Sequence, residues 1–238
     1  MKRFWKDVSI EPHSGGWRLL LDGRAVKTQG GSAQIVPTPA LAQALAAEWA
    51  AQGETIDPGR FMLRDLTDTA LDVIAQDRAS TVAVLLRFAE TDTLCYRADP
   101  EDALHARQQE LWDPLLSAAE ARWDVHFIRV NGVLHQPQPA ATLQRFELLL
   151  QSKSDFTLAA LTTLASLAAS LIVALAALED GAEAEALWNA AELEEAWQAE
   201  LWGSDYEAEH RRALRLAAFK AAMGFARLAH GPSGLNNS

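Results

Sequence analysis

The feature that most constrains the fold is a run of 23 residues without a charge, FTLAALTTLASLAASLIVALAAL, from Phe156 to Leu178. A helix of that length can cross a bilayer. Its composition argues against that use: Thr157, Thr162, Thr163, Ser166 and Ser170 dilute the apolar character, and no Trp or Tyr anchors either end. The run is read as a helix over 155–179 buried on nearly all sides, and membrane insertion is not expected. A helix buried that way needs neighbours. The sequence supplies them: beyond Gln136-Pro137-Gln138-Pro139 the pattern is helical to the end, over 139–152, 182–202 and 205–229 beside the central run.

The first part of the chain has a different period. FWKDVSIEP, GWRLLLDG, RAVKT and AQIVPT are short runs broken by His13-Ser14-Gly15-Gly16, Asp22-Gly23 and Gln29-Gly30-Gly31, and Asp-Gly between extended runs is a hairpin signal. Thr38-Pro39 then supplies an N-cap with proline at the first helical position, opening a helix that ends by Gly53. Helices are expected over 64–75 and 77–91, an extended piece at LCYR, a long helix from Pro100 to Trp123, and a returning strand or hairpin in VHFIRVNGVL. The expected class is α+β. A small, mostly β N-terminal domain (1–98, an antiparallel sheet or barrel plus helices) precedes a C-terminal helical bundle (99–230) and a flexible tail (231–238).

Catalytic templates are missing. The 238 residues contain no phosphate-binding glycine loop, no dinucleotide fingerprint, no nucleophile elbow and no zinc-protease helix. One cysteine, Cys95, rules out an intrachain disulfide or multi-cysteine zinc site and reads as a small buried hydrophobe. The six histidines are scattered, and no two share the spacing of helical metal ligands, so neither a metal nor a cofactor is expected. Asp65, Asp68 and Asp72 do fall on one helix face, where they could hold a divalent cation or work as an acid–base pair. A solvated face is the preferred reading, and a small metal-dependent enzyme is the alternative it displaces. A membrane-associated scaffold using 156–178 is the other alternative.

Charge is the more informative property. The formal net charge is −11, from 32 acidic and 21 basic residues, which argues against a nucleic-acid partner. Glu179 to Glu209 contains eleven acids and no Lys or Arg, so the whole excess lies in 31 residues, followed at once by His210-Arg211-Arg212. On a continuous helix over 182–202, Leu187, Trp188, Ala190, Ala191, Leu193, Trp197, Leu201 and Trp202 form a broad apolar arc. Glu192 and Glu200 fall outside it and are expected to be solvated; Glu194 and Glu195 fall inside it. A carboxylate on an apolar stripe is costly unless paired, here with Arg211, Arg212 or Arg215, or unless the stripe is a surface that receives an apolar, basic element of another protein.

At several points together the chain resembles the ATP-twelve family, assembly chaperones for the alpha subunit of the F-type ATP synthase catalytic head. The segments that carry the resemblance are GWRLLLDGRAVKT, VPTPALAQALAAEW followed by Ile56-Asp57, the pattern L-x-x-L-x-x-T-A-x-D from Leu63 to Asp72, AETDTLCYR, ELWDPLLSAAEARW and LEEAWQAELWG. Each is weak alone, and six in order make the likeness specific. The resemblance implies a non-enzymatic chaperone that holds the unassembled alpha subunit until the beta subunit replaces it. It places the family's important acid in the stretch Leu193, Glu194, Glu195, Gln198, Trp202 and Gly203, where either glutamate fits and Glu195 is chosen.

The partner-binding set is therefore Glu195, Glu194, Trp197, Trp202, Gln198 and Trp188, with Trp49, Asp72 and Trp112 as structural positions. Trp49 is expected to anchor a core under the β domain. Two departures from the family pattern stand out: Asp68 replaces an asparagine, and Ala191-Glu192 replaces Ser-Arg, which leaves the acids less compensated or shifts their pairing to Arg211 or Arg212. The free protein is expected to be monomeric. With no secretory or targeting segment at its start, a bacterial cytoplasmic protein is expected, with relatives in mitochondria.

Overall fold

The computed structural model describes residues 1–132, 134–203 and 205–230. The chain is α+β: a small N-terminal antiparallel sheet followed by helices. Two compact units are present, one built from Met1–Arg78, Ser154–Ala160 and the chain from Ala221, the other from Ala79–Lys153 and Leu161–Lys220.

In the first unit, β1 (Val8–His13) and β2 (Gly16–Leu21) form a hairpin pairing Val8 with Leu21 and His13 with Gly16. The Asp-Gly turn leads into β3 (Arg24–Ala25), with Asp22 at φ 47° and Gly23 at φ 77°, both positive as this type of tight hairpin turn requires. β4 (Ile35–Val36) pairs with the same edge of β2 through Trp17 and Arg18, so the sheet is open and not a closed barrel. Gly16 permits this pairing, because a Cβ there would collide with the Val36 carbonyl. Helix α1 (Pro39–Ala50) begins as its sequence dictates, with the Thr38 hydroxyl accepting from Leu41 N at 3.1 Å. The core joins Trp5, Leu19, Leu21, Trp49 and Phe61; the Trp49 ring lies 4.9 Å from Trp5 and 4.7 Å from Phe61.

Next comes α2 (Met62–Asp68), whose first turn is capped by Glu48, the carboxylate accepting from Leu63 N (2.7 Å) and Arg64 N (3.0 Å). It continues into a π-helical turn at Thr69–Ile74. The Asp65, Asp68 and Asp72 face is not solvated as a whole. Asp65 pairs with its neighbour Arg64. Asp68 is buried and accepts from Gln34 Nε2 (2.9 Å) and Gln29 N (3.1 Å). Asp72 accepts from Thr28 Oγ1 and Gly30 N, both at 2.8 Å. Sequence periodicity alone does not place the Gln29–Gln34 loop over the helix. These carboxylates are fasteners, and among the described residues no group of three or more His, Cys, Asp or Glu is arranged to hold a metal.

In the second unit the helices follow α3 (Arg78–Glu90): α4 (Ala103–Trp123), α5 (Ala140–Ser152), α6 (Asp155–Ala168), α7 (Leu171–Ala176), α8 (Ala184–Ala191), α9 (Leu193–Trp202) and α10 (Tyr206–His230), the last and α6 also contributing ends to the first unit. Tyr96–Arg97 (β5) and Val130–Asn131 (β6) pair in parallel, so VHFIRVNGVL holds a returning strand. Val133 and the 231–238 tail lie outside the described residues.

The 23-residue uncharged run is largely buried, yet it is not one helix. Ala169 adopts φ 48°, and Ser170 restarts the chain as the N-cap of α7, its Oγ accepting from Val173 N at 3.0 Å. The backbone exposed by the break is satisfied by the segment before β5: Thr93 N and Oγ1 donate to the Ala169 carbonyl, and fully buried Asp92 accepts from Ile172 N and Leu94 N. Burial pushes the Asp92 carboxyl up to about 6, against the lowering effect of these hydrogen bonds. No helix among the described residues is long and apolar enough to cross a membrane.

Candidate functional site

The acidic block is organised by α4. Leu104, Gln108, Trp112 and Leu116 recur every four residues and are buried, forming the inner face of that helix. Two of them reach the junction of α8 and α9. Trp112 is fully buried and donates from Nε1 to the Ala190 carbonyl at 2.7 Å, in the last turn of α8 where acceptors lack intrahelical donors. Gln108, equally buried, accepts from Ala98 N (2.8 Å) and donates to Glu194 Oε1 (2.7 Å). Arg107 faces outward: its Nη1 donates to both Glu200 oxygens, at 2.9 and 3.0 Å, and its guanidinium carbon lies 4.9 Å from the Trp197 ring centroid.

The junction itself departs from the continuous helix expected over 182–202. Glu192, at φ −94° and ψ 13°, ends α8 and precedes α9. The helical phase does not carry through that residue, and the two assignments made on a single wheel exchange places. Glu192, expected in solvent, is 3% exposed, whereas Glu194 and Glu195 are at the surface. Glu192 pairs with Arg215 Nη1 at 3.0 Å, while its second oxygen, Oε2, has no hydrogen-bond partner. Burial, reinforced by the neighbouring Glu195 carboxylate, pushes the Glu192 carboxyl upward against the pull of Arg215.

Arg215 is the central cation. Besides Glu192 it reaches Glu195 Oε2 at 3.4 Å, donates from Nη2 to the Leu167 carbonyl at 2.9 Å, and stands 5.3 Å from the Trp188 ring centroid. Of the three basic partners considered from sequence for these acids, Arg215 makes the contact. Three further acids of the block are paired from two helices, with Arg122 on Glu179, Lys220 on Glu185 and Arg211 on Glu207.

The sequence-named residues therefore divide. Glu195, Glu194, Gln198 and Trp202 are exposed on α9, Trp202 at 82%, and Trp197 is half-buried against Arg107. Trp188 is 1% exposed and packs against Phe219 with the rings tilted and their centroids 5.6 Å apart, so it supports the surface from within and cannot touch a partner directly. Trp112 and Trp49 lie in the cores of their units, and Asp72 holds the Thr28–Gly30 loop. Cys95 is fully buried and burial pushes its thiol up, leaving no reactive thiolate. Sequence reading places Glu192 in solvent, leaves Arg215 as one of three candidate cations and does not name Gln108. Their only signal was residue type, and each acts through a contact to a distant segment.

Three comparisons bear on identity. The family described as ATP12 chaperone protein matches residues 2–120. The chain is 27% identical over 215 residues to Protein atp12, mitochondrial, of Schizosaccharomyces pombe, a match covering 85% of this chain and 74% of that protein. Among solved structures, Atp12 from Paracoccus denitrificans superposes with a TM-score of 0.90 at 37% identity, covering 96% of this chain and 98% of that one. A protein from Agrobacterium tumefaciens gives a TM-score of 0.90 at 40% identity, over 94% and 85% of the two chains.

Proposed function

Because the chain belongs to the ATP12 chaperone family, we propose that it is an assembly factor of the F-type ATP synthase whose client is the unassembled alpha subunit of the catalytic head. An orphan subunit of an alternating ring presents a large apolar interface that aggregates unless covered. Covering it calls for a docking surface and no chemical step. The surface proposed here is the outer side of α9 and the start of α10.

One observation supports that placement most: large apolar side chains stand in solvent on the helix that carries exposed acids. Leu201 and Trp202, 55% and 82% exposed, share α9 with the exposed Glu194, Glu195 and Gln198, and Tyr206 at the start of α10 is 82% exposed. Isolated exposed apolar residues are ordinary, but aromatic side chains clustered with carboxylates suit a partner that is apolar and basic. Glu195 is its acid, Glu194 and Gln198 flank it, and Trp197 and Trp202 are its aromatic contacts. The protein is proposed to work as a free monomer in the bacterial cytoplasm, where the client is made, with the mitochondrial relative doing the equivalent task in its own compartment.

The test is co-elution of purified chaperone and alpha subunit on size exclusion. Wild type is expected to form a complex, and Glu195→Lys is expected to weaken it at least about tenfold while its melting temperature stays near wild type, because the side chain is 69% exposed. Unfolding of that variant would assign Glu195 to internal pairing, and an undiminished complex would remove it from the surface.

A further inference from the structure

Glu192 is an odd residue to find at the centre of a docking surface, being inaccessible and under-satisfied. One oxygen meets Arg215 at 3.0 Å; the other has no partner in a site that is 3% exposed. A buried carboxylate with an empty oxygen weakens a fold. Its effect on Arg215 is specific. Nη1 stands between the two acids, 3.0 Å from Glu192 and donating one long hydrogen bond of 3.4 Å to Glu195, while Nη2 is held on the Leu167 carbonyl and the guanidinium carbon lies 5.3 Å from the Trp188 ring centroid, so that Glu192 limits Glu195 to that single long bond. Without the inner carboxylate, the same guanidinium would close on Glu195 as a two-pronged pair and neutralise it.

We infer that Glu192 is a positioning residue of the client surface: by drawing Arg215 inward it keeps the Glu195 carboxylate available to a lysine or arginine side chain of the client, whose arrival lets Arg215 pass wholly to the open Glu192 oxygen. This rests on the proposal that α9 is the client site. The groups facing Glu192 are Arg215 and, farther off, Arg212, which favour its charged form, and Glu195, which opposes it. Once protonated, Glu192 no longer competes for Arg215. Client capture is therefore expected to weaken as pH falls through the range in which Glu192 takes up its proton.

Two measurements on Glu192→Gln test the inference. In a crystal structure of that variant, Arg215 is expected to have turned to Glu195 with N–O distances of about 2.8 Å; an unmoved Arg215 overturns the inference whatever the client is. In the co-elution assay, Glu192→Gln is expected to weaken alpha-subunit capture about tenfold and to lose its pH dependence. Adding Arg215→Gln to the same chain is expected to restore capture, because the competing cation is then gone. Undiminished capture by the single variant, or no recovery in a double variant that still melts cooperatively, overturns it. Failure of wild type to capture the alpha subunit would instead remove the client proposal and leave the crystallographic result to decide.

Discussion

Asp68 shows how one buried carboxylate can be both well held and expensive. It accepts from Gln34 Nε2 and Gln29 N, yet burial raises its pKa, and Gln34 Oε1 beside it has no partner. Asparagine at this position keeps an acceptor for Gln29 N, offers its own N–H to the Gln34 oxygen once that amide rotates, and buries no charge. Asp68→Asn is expected to stabilise the protein by about 0.5–1 kcal/mol in denaturant titrations. The sign with pH follows from linkage. A raised folded pKa gives stability that is complete below the unfolded value of 3.8 and lost as pH rises through the folded value, so the gain from Asp68→Asn grows toward neutral pH and shrinks in acid. A gain independent of pH would mean that the ionised form carries no penalty. The helix carrying Asp68 was readable from its apolar period. The fastening was not, because it depends on a loop 34 residues or more away in sequence.

At the scale of elements, most helices and the hairpins were legible for local reasons: Asp22-Gly23 supplies its own positive φ angles, and Thr38-Pro39 caps its own helix. Two stretches whose periodicity predicts one long helix, 155–179 and 182–202, each hold two. Their breaks fall at Ala169-Ser170 and at Glu192, and in both cases the stranded backbone groups are met by side chains from other segments: Asp92 and Thr93 in the first, Trp112 in the second. Helical periodicity contains no term for such remote partners. The second break matters most for the candidate surface, since it exchanges buried and exposed glutamates.

The first break offers a stability test. Asp92→Ala leaves the Leu94 and Ile172 N–H groups unmet and is expected to cost about 2–4 kcal/mol in chemical unfolding. Asp92 also contributes a pH dependence: with its pKa raised from 3.8 to about 6, its share of wild-type stability is complete below about pH 3.8 and is lost as pH rises through about 6. Asp92→Ala should lack that decline. A variant with unchanged stability, or with the same slope between those limits, would show that the α7 restart is held by Ser170 alone.

For the molecule as a whole, the net charge of −11 resolves into a local device. Acids of the 179–209 block are partly matched by cations from α4 and α10, and on α9 the exposed Glu194 is held by the neutral amide of Gln108. The family match and the fold agree that this is an ATP12-type chaperone, and the alpha subunit as its client is the proposal that follows from that membership. The most direct measurement is light scattering during refolding of the isolated alpha subunit with an equimolar amount of the chaperone. Scattering is expected to be suppressed, Glu195→Lys is expected to restore it, and adding the beta subunit is expected to release free chaperone as alpha enters a complex with beta. Aggregation of the alpha subunit at the same rate with and without the chaperone would show that the protein does not hold that subunit.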